Sequence, residues 1–325
     1  MPLPIKTGPT REPLRILLHG VEGVGKTTFA SKFPGAIFIG SEDGGGDLDI
    51  ARMPVATWKQ ATERVNDLLT EAHDFRVLVI DSIDFLECLC WQGLMDDRKV
   101  STIEDVGGGF GKGYTAATEE AGRFVKLLDT LRERRRMHIV AISHTEIKTF
   151  ADPTAASYDR YQLRLHKGAA ALYSGWADCI LFANYEIKVR TESGGKGAEI
   201  LKKGKAAAGT PARVLYTERR AAFDAKNRYN LPAELPLEWD DFAKAIRWEE
   251  RDAAILAAAP PPPVPGVIDV YAAIKNAVNH MEWTHDEVRD LLAKYGATDS
   301  KTVPENARAA VVAALHVNHT RPEAK

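Results

Sequence analysis

Two glycines, a lysine and a threonine near the amino terminus have the spacing of a phosphate-binding loop. Residues 20–27 read G-x-x-x-x-G-K-T, directly after an apolar run and directly before a predicted helix, which is the context that this pattern requires. Glycines let successive backbone N–H groups point at phosphate oxygens, and the helix amino terminus adds partial positive charge. We therefore predict an ATP site formed by consecutive residues: Gly20, Val21, Glu22, Gly23, Val24, Gly25, Lys26, Thr27 and Thr28.

Three polar side chains around this loop have distinct predicted roles. Lys26 is expected to reach the β and γ phosphates, which makes it a candidate catalytic residue as well as a nucleotide ligand. The hydroxyl of Thr27 is expected to bind Mg²⁺. An apolar run at residues 77–80 ends in Asp81, and a carboxylate at the end of a buried strand is the usual second magnesium partner beside such a loop.

Hydrolysis also needs a base that orients the attacking water. A predicted strand at residues 36–39 runs out into Glu42 and Asp43, and we expect it at the sheet edge, next to the strand of the phosphate loop. Glu42 is the preferred base. Asp43 is the alternative, although the following glycines at 44–46 explain it equally well as a turn residue.

A histidine is the candidate sensor of the γ-phosphate. His144 follows a predicted strand at residues 139–143, and a neutral imidazole can donate a hydrogen bond to a phosphate oxygen. The alternative is a polar residue that merely ends the strand.

The elements that must position these residues alternate between short apolar strands and longer amphipathic helices, which predicts an α/β fold with a mainly parallel sheet. The predicted strands are at 15–19, 36–39, 77–80 and 139–143, and the predicted helices are at 26–33, 57–72 and 116–135. Two later strands, at 180–190 and 213–217, flank a stretch rich in glycine and lysine and predict an antiparallel addition to the sheet.

A proline-rich segment divides the chain. Residues 257–266 read AAAPPPPVPG, which favours an extended spacer over a helix. We predict a flexible tail at 1–13, a nucleotide-binding core at 14–256, and a small helical domain with a disordered tail at 267–325. The last of these has three predicted helices, at 267–281, 284–295 and 304–317. Thr284 and Glu287 predict a capping box for the second helix, and Gly296 predicts its end.

Composition limits the classes of function. The formal net charge is -2, so the protein is not a polycation, and any DNA binding must be local. The three cysteines, Cys88, Cys90 and Cys179, lie in apolar surroundings and are predicted to be buried thiols in a reducing compartment. The first residues lack the apolar core of a signal peptide, and no apolar run is long enough to span a membrane, so we expect a cytoplasmic protein.

Together these motifs resemble those of the RecA-like P-loop ATPases, most closely the short phage-encoded RecA-core annealing and recombination proteins of the phage nucleotide-binding protein family. The resemblance covers about residues 14–235 and rests on GVEGVGKT, FIGSE, VLVIDS, AISH and AKNRYNLP. It implies a RecA-like core with ATP and Mg²⁺ as cofactors. It also implies that Glu42 is the catalytic base and that His144 couples nucleotide state to DNA binding.

The resemblance further implies partners. Lys226 and Arg228 are similar to a basic pair that reaches into a neighbouring subunit's ATP site, which implies a homo-oligomer, either a filament or a ring. The alternative for both is a solvated loop cation. Single-stranded DNA would bind two mobile loops, at about residues 96–114 and 145–166. A single-strand-binding protein is a further candidate partner.

Four hypotheses of function follow. The leading one is an ATP-dependent recombinase or annealing protein that binds single-stranded DNA. A DNA helicase or helicase loader shares every core motif and differs in forming a closed ring. A small-molecule kinase needs a basic lid, for which residues 196–205 are the candidate, although their position between two predicted strands favours a hairpin. A scaffold that binds ATP without turnover would tolerate the loss of Glu42.

Overall fold

The computed structural model divides the chain into two compact units. One contains Met1–Asn66 and Asp74–Pro260, and the other contains Asp67–His73 and Pro261–Lys325. The structure describes residues 11–40, 48–71, 73–152, 156–186, 189–190, 205–206, 211–257, 284–298, 303 and 311.

A ten-stranded sheet is the centre of the first unit. Its strands are β1 (Arg15–Gly20), β2 (Ala36–Gly40), β3 (Ala51–Pro54), β4 (Val77–Asp81), β5 (His138–Phe150), β6 (Tyr158–Leu163), β7 (Cys179–Tyr185), β10 (Arg213–Tyr216), β11 (Lys226–Asn227) and β12 (Glu234–Pro236). Two short strands, β8 (Val189–Arg190) and β9 (Lys205–Ala206), pair only with each other among the described residues.

Helices connect and cover these strands. They are α1 (Lys26–Ala30), α2 (Trp58–Thr70), α3 (Ile83–Arg98), α4 (Lys112–Arg135), α5 (Lys167–Trp176), α6 (Trp239–Ile246), α7 (Trp248–Ala257) and, in the second unit, α8 (His285–Lys294). Of the helices in the described part of the chain, none has both the length and the apolar character needed to cross a membrane.

The strand order confirms a mainly parallel sheet but corrects the position of β2. The order is β12-β10-β7-β1-β5-β4-β2-β3. Strand β10 is antiparallel to β7, as predicted for the returning strand, whereas β7 itself runs parallel to β1. Strand β12, which is not among the predicted strands, is antiparallel to β10. Strand β2 is neither at the edge nor next to β1, because β3 forms the edge, and β5 and β4 lie between β2 and β1. Later strands insert beside earlier ones through helical crossovers, so neighbours in sequence need not be neighbours in the sheet.

Alternation along β1 gives each face of the sheet its own layer. Leu14, Ile16 and Leu18 belong to one apolar cluster with α1, α6 and α7. Aromatic side chains pack together in this layer. The ring centroid of Phe33 lies 4.4 Å from that of Trp239 and 5.4 Å from that of Trp248. The packing fixes the helix that follows the phosphate loop.

The opposite layer contains α3, α4 and α5, which pack on one another and on the central strands. Its buried residues include Leu86, Phe124 and Tyr173. Neither α3 nor α5 is among the helices predicted from the sequence. Helix α3 starts two residues after β4, and its apolar residues spread over most of its circumference, so its amphipathic period is weak.

The cysteine prediction is partly wrong. All three thiols are free, and Cys90 and Cys179 are buried, but Cys88 is exposed. Residues two positions apart on a helix point in nearly opposite directions, so α3 cannot bury both Cys88 and Cys90 against the same layer.

In the second unit, α8 confirms the predicted capping box. The Thr284 hydroxyl accepts a hydrogen bond of 3.2 Å from the Glu287 N–H, and the Glu287 carboxylate accepts one of 2.8 Å from the Thr284 N–H. Gly296 has a φ of 71°, as expected of a residue that ends a helix. The predicted helices at 267–281 and 304–317 lie outside the described residues, except for Val311, and so does the spacer beyond Ala257.

Candidate nucleotide-binding site

The phosphate loop joins β1 to α1 in a conformation that needs glycine. Gly23 and Gly25 have φ values of 71° and 103°, in the region that other residues rarely adopt. Gly20 is required for a different reason: a methyl group built on it would lie 2.1 Å from the Ala183 carbonyl oxygen of the neighbouring strand β7. The loop therefore has the compact shape that lets backbone N–H groups surround a phosphate.

Lys26 lies inside this loop. Its side chain is 5% exposed, and its ammonium donates hydrogen bonds of 3.0 Å to the carbonyl oxygens of Gly20 and Val21. The backbone thus holds the cation at the loop, where a phosphate oxygen can replace a carbonyl as its acceptor. Thr28, the last of the predicted nucleotide-binding residues, is exposed in the first turn of α1.

Thr27 and Asp81 are brought together as predicted for a magnesium site. The Thr27 hydroxyl donates a hydrogen bond of 2.7 Å to Oδ2 of Asp81, which is 7% exposed at the end of β4. A hydroxyl and a carboxylate are the hard oxygen donors that Mg²⁺ prefers, and this ion takes its remaining ligands from waters and substrate phosphates. These two residues fit the ion, and when bound it would neutralise charge on the phosphates.

The candidate bases, Glu42 and Asp43, lie outside the described residues. The strand that leads to them is described as far as Gly40. A methyl group on Gly40 would lie 1.9 Å from the Asp81 carbonyl oxygen, so β2 passes very close to the end of β4. Strand β2 therefore ends beside Asp81, although β2 is not next to β1.

His144 lies beside the phosphate loop and has a carboxylate partner. The register of β1 and β5 pairs His144 with Gly20. The backbone N–H of His144 donates to Asp84 Oδ1 at 3.0 Å, and its ring Nδ1 lies 2.9 Å from Asp84 Oδ2. Burial alone would raise the pKa of Asp84, but these hydrogen bonds hold it below its ordinary value.

This partner changes the chemistry expected of a sensor. Nδ1 donates its hydrogen to ionised Asp84, so a neutral ring would present Nε2 as an acceptor. Donation to a phosphate oxygen therefore requires the imidazolium form of His144, not the neutral form that the sequence suggests.

A second link joins the loop to the β5–β6 hairpin. The Arg164 side chain, just after β6, donates to the carboxylate of Glu22 in the phosphate loop. The Arg164 N–H donates to the His144 carbonyl oxygen at 3.0 Å. Arg164 lowers the pKa of Glu22, and Glu22 raises that of Arg164. Both side chains are largely exposed, so the pair costs little to break.

Helix α3 carries another carboxylate towards the hairpin. Glu87 accepts hydrogen bonds of 3.0 and 3.2 Å from the backbone N–H of His166 at the start of α5. Desolvation raises the pKa of Glu87 to about 7. The ring of His166 stacks on Tyr114 of α4 with centroids 4.4 Å apart, so α3, α4 and α5 meet at this point.

Two residues near the loop are not among those predicted. The Tyr185 hydroxyl, at the end of β7, donates to the Gly23 carbonyl oxygen at 3.0 Å. A methyl group on Gly25 would lie 2.7 Å from Nη1 of Arg213, which also pairs with Glu238 at 2.8 Å. Tyr185 could be found only from the parallel pairing of β7 with β1, which brings its end to the loop.

Lys226 and Arg228 are not brought to the loop of their own chain. Lys226 pairs with Ile180 near the start of β7, whereas Gly20 pairs with Ala183 near its end. The Lys226 ammonium donates to carbonyl oxygens at the end of α5, at 2.5 Å for Ala177. Desolvation lowers the pKa of Lys226.

Arg228 donates to Asp178 at 3.0 Å and shares that carboxylate with Arg15. In this chain both cations of the pair therefore have structural contacts. Their role at a neighbouring subunit's site stays a prediction.

The two predicted DNA loops differ from each other in structure. Residues 96–114 include the end of α3, a 3-10 turn at Ile103–Asp105 and a glycine-rich turn that exposes Phe110 completely. Residues 145–166 are largely not a loop: β5 continues to Phe150 and pairs antiparallel with β6. In TEIKTF, β-branched residues alternate with charged ones beyond the apolar run that marks β5, and YDRYQL has two tyrosines and a leucine. These features are the signals for the two strands.

The loop, the hydrogen bond between Thr27 and Asp81, and the mainly parallel sheet with one strand between β1 and β4 define a P-loop ATPase-like fold. In sequence, residues 12–229 match the AAA domain family, and the chain belongs to that family. Membership implies an ATPase that binds nucleotide, typically with Mg²⁺. No curated protein matches the chain.

Proposed function

We propose that the protein is an ATP-dependent, single-stranded-DNA-binding recombinase or annealing protein that acts as an oligomer. The observation that carries the proposal is the contact between Glu22 and Arg164, which joins the phosphate loop to the β5–β6 hairpin. The two partners are 142 residues apart in sequence, so this contact is specific to the fold. Through this contact, a nucleotide bound at the phosphate loop could change the position of the β5–β6 hairpin.

Two contacts couple the phosphate loop to the hairpin, one through Glu22 and one through His144. Glu22 belongs to the loop that wraps the phosphates, so a change in the loop moves the partner of Arg164. His144 pairs with Gly20 in the sheet, and Asp84 holds its ring. A nucleotide that changes the loop's hydrogen bonds would favour one hairpin position over another, which is what coupling of two sites requires.

The hairpin and the neighbouring glycine-rich turn have the chemistry that a single strand needs. Lys148 and Tyr158 lie on the hairpin. The side chain of Ile147, next to Lys148 on β5, is 62% exposed. Phe110 is fully exposed on the turn, at a φ of 57° that is costly for a residue other than glycine. Cations bind phosphates and aromatic rings stack on bases without sequence preference.

Oligomerisation belongs to the same proposal. Arg228 is 57% exposed, so it is accessible to another subunit as well as to Asp178. Cations supplied across an interface would make hydrolysis depend on assembly.

A kinase is less well supported. Its candidate lid at 196–205 lies outside the described residues except for Lys205, which pairs with Arg190 in the two-stranded β8–β9 ladder. That ladder favours a hairpin excursion.

The test is ATP turnover with and without single-stranded DNA, with Asp81→Asn as the inactive control. We expect single strands to raise turnover and ATP to promote annealing of complementary strands. Turnover that no nucleic acid changes would contradict the proposal. Separation of a forked duplex without annealing would instead identify a helicase.

A further inference from the structure

A cavity of about 300 Å³ lies between the β5–β6 hairpin and α5, and its described lining residues include none of the phosphate loop itself. Its walls include Arg160 of β6 and Lys167, Ala170 and Ala171 of α5, and its lining reaches His19 of β1. The small side chains of α5 leave the space open. This volume is at the lower end of the range for small-molecule sites, which suits one nucleotide.

The first notable feature is a buried guanidinium. Arg160 is 4% exposed, and its Nη2 donates to the Asp224 carboxylate. The guanidinium carbon lies 5.2 Å from the ring centroid of Phe150. Its Nε is buried and has no hydrogen-bond partner within the described ranges. A buried donor on a cation without an acceptor can take one further hydrogen bond, and an anionic oxygen is the acceptor that would make it strongest.

The rim adds positive charge. Lys148 and Lys167 line the cavity, and Lys167 is exposed and has no ion pair with any residue that the structure describes. Lys148 pairs with Glu146 at 2.7 Å. Asp224 is the single acidic residue among the described lining residues, against three cations. The cavity is therefore suited to a phosphate.

The histidine in the lining has an unused acceptor. The ring Nε2 of His19 lies 2.8 Å from the Asp224 carbonyl oxygen, to which it must donate. Desolvation lowers the pKa of His19 to about 4, so the ring is neutral near pH 7. Its Nδ1 is then an acceptor, buried and without a partner in the described part of the chain. It can accept a hydrogen bond from an N–H donor, which every nucleobase offers.

We propose that this cavity holds one nucleotide of a bound DNA single strand, with its phosphate on Arg160 and Lys167 and a base N–H on His19. The inference deepens the proposed function and rests on it. Phe150 and Tyr161 also line the cavity and offer apolar surface to a base or sugar.

The position of His19 connects this cavity to the nucleotide site. His19 directly precedes Gly20, whose carbonyl oxygen accepts the 3.0 Å hydrogen bond from Lys26. A nucleotide unit bound to His19 is thus one residue away from the phosphate loop. This is a third connection, in addition to those through Glu22 with Arg164 and through His144.

Two variants test the cavity, one by removing charge at its rim and one by filling its volume. Lys167→Ala removes a rim charge from an exposed position, and Ala171→Trp fills the space without changing charge. Lys126→Ala removes an exposed charge from α4 and is the matched control. The probe is a fluorescein-labelled oligothymidylate of about 20 nucleotides, measured by anisotropy with a non-hydrolysable ATP analogue at several salt concentrations.

We expect Lys167→Ala to bind the strand roughly three- to tenfold more weakly, with a plot of log K against log salt that is shallower by about 0.7. We expect Ala171→Trp to weaken binding by about tenfold or more with ATP affinity unchanged. Lys126→Ala should match the wild type.

If the wild type binds the strand and both cavity variants bind it equally well, the cavity is not the site and the proposed function stands. If the wild type binds no strand, the proposed function itself fails, and the assigned occupant of the cavity fails with it.

Discussion

The Thr27 hydroxyl and the Asp81 carboxylate are 2.7 Å apart, although one follows β1, the other ends β4, and β5 lies between these strands. The phosphate loop and the start of α1 therefore carry Thr27 from the end of β1 to the end of β4. The pair can thus hold a magnesium ion beside the phosphate loop without any rearrangement of the sheet.

The hydroxyl of Thr27 is expected to be essential for magnesium-dependent hydrolysis. Thr27→Val keeps the shape but loses the oxygen, so we expect turnover to fall by about a hundredfold. Thr27→Ser keeps the oxygen and should stay within roughly threefold of the wild type. Turnover measured over a magnesium titration checks this. A valine variant with unchanged turnover at every concentration would exclude Thr27 as a ligand.

Gly40 is expected to tolerate no side chain. A methyl group there meets the Asp81 carbonyl oxygen at 1.9 Å, so Gly40→Ala must push β2 away from β4. We expect a loss of about 1–3 kcal/mol in the free energy of unfolding, measured by denaturant titration. Gly122→Ala in α4 is the control, because its methyl group meets nothing within 4 Å. That variant should be stabilised by up to about 1 kcal/mol, and equal effects at both sites would refute the close contact.

The pair of Glu22 and Arg164 is expected to matter for coupling more than for stability. Arg164→Ala should change the free energy of unfolding by less than about 1 kcal/mol, because both side chains are largely exposed. We expect it to reduce the stimulation of ATP turnover by single-stranded DNA. The exchange of charges in Glu22→Arg with Arg164→Glu should restore part of that stimulation. Full stimulation in Arg164→Ala would remove this contact from the coupling route.

Glu87 is expected to make stability depend on pH. Its pKa is about 7 in the folded protein against 4.5 ordinarily, so between these values the folded state binds more protons than the unfolded state. Stability contributed by this group therefore falls as pH rises from about 4.5 to about 7 and is constant above that. Glu87→Gln should gain about 1–3 kcal/mol over the wild type across this window.

Denaturant midpoints at about pH 5 and about pH 8 measure that gain. Glu119→Gln, at an exposed position on α4, is the control. Wild-type and Glu87→Gln curves that stay parallel over the window would show that burial does not perturb the carboxyl group.

Residues close in sequence were predictable, and contacts between distant elements were not. The phosphate loop, β4 with Asp81, and the α8 capping box all follow from short local patterns. The position of β2 depends on crossovers that later strands complete, so no local pattern specifies it.

The carboxylate partner of His144 shows the same limit. His144 is visible as a polar residue after an apolar run, but Asp84 is 60 residues away in sequence, on a helix with a weak amphipathic period. Because this partner sets which ring nitrogen carries hydrogen, a neutral ring would turn an acceptor towards a phosphate, and the neutral donor expected from the sequence does not fit. The same reasoning applies to Arg160, whose carboxylate partner Asp224 is 64 residues away in sequence.

Calorimetric titration with ATP and Mg²⁺ tests the central claim most directly. Lys26 is held at the loop by the carbonyls of Gly20 and Val21, and we expect the wild type to bind one ATP per chain. Lys26→Ala should weaken binding by roughly a hundredfold or more without loss of folded structure. A wild type that releases no heat with ATP, or a Lys26→Ala variant with wild-type affinity, would contradict the account.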